Sequence, residues 1–361
     1  ELRCVKTNKN RFTVTTDGAD SFQLSYRVYA HELTVRTAHL DDSHAYWNHA
    51  CLLLWPIGQR HLSARITVDH AADWSLTCSL QASHAESISA GYSATTLHAD
   101  NLDDALDAPI LIGKTQRLEW EVNGIPHAIV LDGLAGIAPP ATLVEDLTKI
   151  VNQAAAVFGG SLPYDRYVFM ALFTGEGYGG LEHRDSTTLL MARTSLTTPS
   201  GYREFLGLAA HELFHAWNVK RMRPVEFWNY DYEQENYTKL LWLMEGWTAY
   251  YDDLLLVRAG LTSRSEYLAT MAKNIQSMSA SPGRLELSLE ESSFDAWIRL
   301  YRPDENTRNS SQNYSGTAAV AAMCLDLLIR RASDGKNSLD AVLSKLYETT
   351  FQQGRGYEVA D

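Results

Sequence analysis

The sequence predicts an α+β chain of more than one domain: an N-terminal antiparallel β-sandwich-like domain over residues 1–139, then a mainly helical domain over 140–361. Three observations carry that prediction. Up to about Leu131, apolar residues alternate in short runs cut by Asp, Gly, Asn and Pro; beyond Pro139-Pro140 they recur at helical spacing. The 361 residues, 45% of them apolar, are also more than one small domain uses.

Taken in order, residues 22–29 (Phe-Gln-Leu-Ser-Tyr-Arg-Val-Tyr), 64–68 and 118–122 alternate with period two and read as strands. Asn123-Gly-Ile-Pro126 turns the chain after the last of them. Thr142 stands three residues before Glu145, the spacing of a capping box, and opens a helix that Gly159-Gly160 closes. Residues 167–173 are apolar enough for a buried strand. Residues 175–180 read as a glycine-dense loop leading into Leu181-Glu182-His183. Helices are expected over 205–221, 237–258, 265–278, 314–331 and 339–347, with no internal repeat.

Composition excludes several classes. With 31 Lys+Arg against 44 Asp+Glu, the net charge is −13, and no basic cluster offers a nucleic-acid surface. Apolar runs such as Cys51 to Trp55 fall far short of the roughly 20 residues a bilayer needs, so no membrane span is expected. Cys4, Cys51, Cys78 and Cys324 lack metal-site or redox spacing and permit disulfides without requiring them. No charged-then-apolar leader follows Glu1; the compartment stays open, with the cytoplasm ahead of the periplasm or the exterior. The residues do not set an oligomeric state.

His211-Glu212-Leu213-Phe214-His215 is an H-E-x-x-H in helix-compatible surroundings. Positions four apart share a helix face, so two imidazoles can bind one zinc ion per chain while Glu212 reaches a water on that metal. A structural site would need a fourth protein ligand, whereas a catalytic one keeps a position for water. Thirty residues on, Glu245 lies in the apolar stretch Leu243-Met-Glu-Gly-Trp-Thr248. A carboxylate there costs several kcal/mol unless it is paired or binds a cation. Zinc would satisfy it; a surface pairing with Arg258 or Lys239 is the alternative. Glu233 and Glu235 are rival ligands in a polar turn. With His211, His215 and Glu245 on the metal, Glu212 is free to act as general base in hydrolysis of a peptide bond.

These residues, with their surroundings, resemble the glycyl aminopeptidase family of zinc metallopeptidases, a branch of the thermolysin-like gluzincins. The likeness runs through His211-Glu-Leu-Phe-His-Ala-Trp-Asn-Val-Lys-Arg-Met-Arg-Pro224, Leu241-Trp-Leu-Met-Glu-Gly-Trp-Thr-Ala-Tyr-Tyr251 and Gly179-Gly-Leu-Glu-His183, and more weakly through residues 26–36 and 293–303. It implies a thermolysin-like catalytic domain after the β domain, zinc as cofactor, and peptides with a free N-terminus as substrates, cut after small residues such as Gly or Ala. Many family members also carry a C-terminal PDZ domain. Nothing after Asp361 supplies one, so the chain is expected to be part of a longer polypeptide.

Gly179-Gly-Leu-Glu-His183 resembles the G-x-M-E-N segment of a related aminopeptidase family, whose glutamate binds the substrate's α-amino group. That likeness gives Glu182 the task of fixing the scissile bond one residue from an ammonium; pairing with Arg184 is the alternative. Gly179 and Gly180 let main chain approach the substrate closely. A phosphate loop is disfavoured because no Lys-Ser or Lys-Thr follows. Tyr314 occupies the place of a family tyrosine, although Lys-Gly is replaced by Thr317-Ala318, and is expected either to donate to the oxyanion or to pack at a helix start. Thermolysin has an Asp four residues after its glutamate ligand, where this chain has Ala249. Support for the histidines therefore falls to Thr248, Asp252 or a main-chain carbonyl. Tyr250 and Tyr251 are read as core or pocket wall. The other histidines, including His31, His39, His44, His49, His61 and His127, are read as surface or satisfied core residues. An endopeptidase of the same fold and an inactive binding module are the alternative functions.

Overall fold

Alternation of small and apolar residues builds the first third of the chain into antiparallel sheets. The computed structural model describes residues 2–361, and no helix among them is long and apolar enough to cross a membrane. Strands β1 (Arg3–Asn8) and β2 (Arg11–Thr15) form an exposed hairpin. Four strands then lie side by side in the order β3 (Ala38–Leu40), β4 (His44–Trp47), β10 (Ile110–Gly113) and β6 (Ser75–Thr77). The second four-stranded sheet centres on β9 (Tyr92–Ala99), which pairs with β5 (Ala64–Ala71), β7 (Gln81–Ala82) and β8 (Glu86–Ser89). Ala45, Ile110 and Ile112 of the one sheet and Leu97 of the other share a core with Ile66, Val68 and Leu76, which makes the pair a sandwich.

Successive residues of β4 point to opposite faces, so Tyr46 turns away from that core. It packs with Leu111 onto Val130, Val168, Met170 and Leu172 of a five-stranded mixed sheet. That sheet runs β11 (Gln116–Val122), β12 (Ile125–Asp132), β13 (Tyr167–Thr174), β15 (Ser186–Ala192) and β14 (Tyr178–Glu182). Strands β12, β13 and β15 run parallel, and the first two read as nearly unbroken apolar runs because layers cover both faces. On the far side Phe169, Phe173 and Met191 meet α2 (Leu143–Val157), α3 (Pro199–Phe214), α4 (Trp247–Arg258), α9 (Gly316–Ala332) and α10 (Leu339–Thr349). The remaining helices are α1 (Leu102–Leu106), α5 (Arg264–Ser279), α6 (Leu289–Phe294), α7 (Ala296–Arg299) and α8 (Thr307–Ser310). Antiparallel sheets followed by a helical region give the α+β class that the patterning predicts. Hydrogen bonding does not divide at residue 139: β11 and β12 precede it, yet belong to the sheet that carries β13, β14 and β15.

Several elements differ from the sequence reading. Residues 22–29 pair with no strand among the described residues, and Phe22, Tyr26 and Tyr29 are exposed, because alternation specifies a face but not a partner. Thr142 already has helical φ and ψ, so its hydroxyl caps nothing; complete capping boxes form instead at Ser263 with Glu266 and at Ser288 with Glu291. The helix expected over 205–221 begins at Pro199 and stops at Phe214, and the one expected from 237 starts only at Trp242, as a π turn over Trp242–Gly246. Gly179 and Gly180 sit in edge strand β14 rather than in a loop. Asn123 and Gly124, at φ 52° and 77°, form the tight turn between β11 and β12. All four cysteines are free.

Candidate metal centre

The last turn of α3 carries His211 and, at its C-cap, His215, whose rings stand edge to face at 4.7 Å between centroids. Glu245 arrives from the π turn. Its Oε2 lies 3.4 Å from His211 Nε2 and 3.6 Å from His215 Nε2. The π turn is pressed against α9, and a Cβ at Gly246 would stand 2.2 Å from that of Ala318.

The tautomer of each histidine follows from what its other nitrogen meets. His215 Nδ1 faces the main-chain oxygen of Asn218 at 2.8 Å, a pure acceptor, so Nδ1 carries a proton and Nε2 is the nitrogen left to face a metal. His211 Nδ1 donates to Asp252 Oδ2 at 2.9 Å, with the same consequence. Of the supports open in the sequence, Asp252 and a main-chain carbonyl serve the histidines, while Thr248 acts one step further out. Asn218 Nδ2 donates to Met244 O at 3.0 Å and to Thr248 Oγ1 at 3.1 Å, which fixes the carbonyl that His215 uses. The residue beyond, Val219, has φ 141°, a conformation costing a β-branched residue about 1–3 kcal/mol. Asp252 replaces the acid absent at Ala249 because both positions, one and two helical turns past Glu245, fall on the same face.

Three potential ligand atoms converge, two imidazole Nε2 and one carboxylate oxygen. Tetrahedral zinc bound at about 2.05 Å by nitrogen and oxygen sets its ligands about 3.4 Å apart, which the two separations to Glu245 match. Glu212, 5% exposed, places Oε2 in the interior with no hydrogen-bond partner. Burial, with the Glu182 and Glu245 carboxylates nearby, pushes its carboxyl up to about 8 against the pull of the two imidazoles. The donor set therefore fits one zinc ion held by His211, His215 and Glu245, with Glu212 outside the ligand set. Asp252→Asn is expected to weaken zinc binding 10–100-fold, measured by competition with a chromogenic chelator.

The other expected site residues are brought close. One ligand atom each of Glu182, Glu212 and His215 lie within 4.8 Å of one another. Glu182 makes no ion pair among the described residues; Arg184 is engaged through its main chain by Asp107 and Arg221 instead. Gly180, also on β14, passes so near α3 that a Cβ there would stand 2.0 Å from Glu212 Oε1, whereas one at Gly179 would only reach Val35 at 3.9 Å. Tyr314 is buried, feels the charges of Glu245 and Glu182, and lies with its hydroxyl 3.2 Å from that of Tyr301. Tyr250 and Tyr251 turn away to donate to Asp326 and Asp340. Arg258 pairs with Asp340 rather than Glu245, and Glu233 pairs with Arg11.

Sequence reasoning missed Asn218 and Asp107. Asn218 left a trace, a polar residue amid apolar ones three positions past His215. Asp107 left none: it follows α1 and accepts from His183 Nδ1 at 3.0 Å, Arg184 N at 3.0 Å and Lys220 Nζ at 2.9 Å. Burial pushes its carboxyl up, but the Lys220 ammonium and the His183 imidazole hold it well below the ordinary carboxylate range. It thereby ties the end of the Glu182 strand to the segment following the H-E-x-x-H helix.

Layered sheets followed by a helical domain with this cluster define the class, a β domain joined to an H-E-x-x-H domain. The chain belongs to the M61 glycyl aminopeptidase family: residues 204–320 match that family, and residues 1–114 match the peptidase M61 N-terminal domain. Among solved structures it is similar to the aminopeptidase N family protein from Idiomarina loihiensis, with 33% identity and a TM-score of 0.88 over 99% of this chain. The chain spans 61% of that relative's length. A two-domain M1 zinc metallopeptidase, solved as a mutant bound to L-arginine, shares the fold at 15% identity and a TM-score of 0.55, over 90% of this chain and 66% of that one. No curated protein matches the chain.

Proposed function

We propose that the chain is the catalytic portion of a zinc-dependent aminopeptidase that removes N-terminal residues, small ones such as Gly or Ala, from peptides. The observation that carries this reading is the convergence of His211, His215 and Glu245 beside two further carboxylates, buried Glu212 and unpaired Glu182. Zinc bound by those three side chains supplies Lewis acidity that activates a water and polarises the scissile carbonyl.

The protein's own residues do the rest. Glu212 takes the proton of the attacking water and passes it to the departing amine, so no proton is left over. Glu182 binds the substrate ammonium and sets the register of cleavage. Edge strand β14 has one side unpaired, and its main chain at Gly179 and Gly180 can align an extended peptide beside Glu182. Tyr314 donates its hydroxyl to the oxyanion forming on the carbonyl.

A free-amine peptide and its N-acetylated twin separate this reading from an endopeptidase. Acetylation is expected to abolish cleavage, followed by chromatography of the products, because it removes the charge that Glu182 binds. Equal rates for the two peptides would overturn the exopeptidase assignment.

A further inference from the structure

A second group of ligand atoms lies in the β domain, on elements that contribute nothing to the H-E-x-x-H cluster. Across the β3–β4 hairpin the chain reads His39-Leu-Asp-Asp-Ser-His44, and His39, Asp41 and His44 each place a ligand atom within 4.8 Å of the others. His39 Nδ1 and His44 Nε2 are 2.9 Å apart.

Each of the three is held by something else. Asp41 Oδ1 accepts from Ser43 N at 2.8 Å, Ser43 Oγ at 2.7 Å and His44 N at 3.0 Å, which fixes the carboxylate and leaves Oδ2 without a hydrogen bond among the described residues. His44 Nδ1 lies 2.9 Å from Asp132 Oδ2, within ion-pair distance, and both residues are buried. That contact leaves His44 Nε2 turned toward His39, the carboxylate–histidine arrangement by which proteins orient metal-binding imidazoles. His31 stacks on His39 at 5.1 Å between ring centroids, and the two residues form a β-bridge. His39 borders an open cavity of about 760 Å³, which gives an ion a way in.

We propose that this turn is a second metal site, binding a divalent transition ion such as Zn2+ through His39, Asp41 and His44, with Asp132 orienting His44. Two imidazoles and one carboxylate suit zinc and its neighbours and not Mg2+ or Ca2+, which take oxygen sets. Binding replaces the proton that the two ring nitrogens share, which is released to solvent, and parts them from 2.9 Å to about 3.3 Å, a small rotation of the half-buried His39 ring. Asp132 ends β12, so the ion braces the β3–β4 hairpin against the central sheet.

The test counts metal and does not depend on hydrolysis. The full chain carrying His211→Ala and His215→Ala is freed of metal, loaded with Zn2+ and desalted, and its zinc is measured. One equivalent is expected to remain. Adding His44→Gln or, should that variant fail to fold, His39→Gln is expected to remove it. Asp132→Asn is expected to weaken it 10–100-fold. Co2+ in place of zinc is expected to give visible absorption bands that vanish in the same variants. The proposal is overturned if the chain lacking His211 and His215 retains no zinc, or if the retained equivalent survives both His39→Gln and His44→Gln.

Discussion

Replacing Glu212 by Gln is expected to lower kcat about 10²- to 10⁴-fold while leaving zinc content unchanged, the range that general-base catalysis contributes. The substitution keeps the shape of the side chain and removes only its capacity to take a proton. The proposed ligand set leaves Glu212 out, so metal binding by His211, His215 and Glu245 is expected to be preserved. KM for a short peptide should stay within a few-fold, because the loss falls on the transition state rather than on ground-state binding. Full turnover in a zinc-loaded Glu212→Gln enzyme would end the proposed mechanism. Loss of zinc together with activity would instead make Glu212 a ligand.

Gly180→Ala is expected to cost about 10²-fold in kcat/KM in a chain that still folds and binds zinc. The added Cβ would stand 2.0 Å from Glu212 Oε1 and 2.3 Å from its Cδ, far inside contact distance, so either the carboxylate or the strand must move. Glu212 has little room to move, since it is buried where the last turn of α3 faces β14. A displacement of about 1 Å at a catalytic group costs about 10²-fold. Gly179→Ala, with its nearest neighbour at 3.9 Å, is expected to do less harm. Steady-state kinetics of the two variants side by side, with zinc content and melting temperature as controls, check the contrast. Activity of Gly180→Ala equal to the wild type would show that the carboxylate tolerates a shift.

How much of the site was legible depends on how local each constraint is. The H-E-x-x-H pair is set by one helix, so the spacing of His211 and His215 already states that their rings share a face. Glu245 is distant along the chain yet detectable, since an acid inside an apolar helix must be compensated. Its partner on the far side of His211 could only be guessed among several groups. Asp252 lies on the same face as Ala249, and only the packing of α4 against α3 shows which position reaches the ring. The strand expected at 22–29 failed for the complementary reason: a periodic pattern names a face and says nothing of a neighbour to pair with.

By itself the sequence determined the order of the two parts, the H-E-x-x-H helix, the candidate third ligand and the candidate base, because those follow from periodicity, from spacing on a single helix and from the cost of an uncompensated charge. Only the tertiary structure decided that β11 and β12 join the central sheet, that Gly180 makes room for Glu212, that Asp107 and Asn218 hold the site's walls, and that His39, Asp41 and His44 meet. Each of those is a contact between segments far apart in the chain or across a turn. Such contacts arise when sheets and helices bury their apolar faces together, and the spacing of residues along the chain does not encode them.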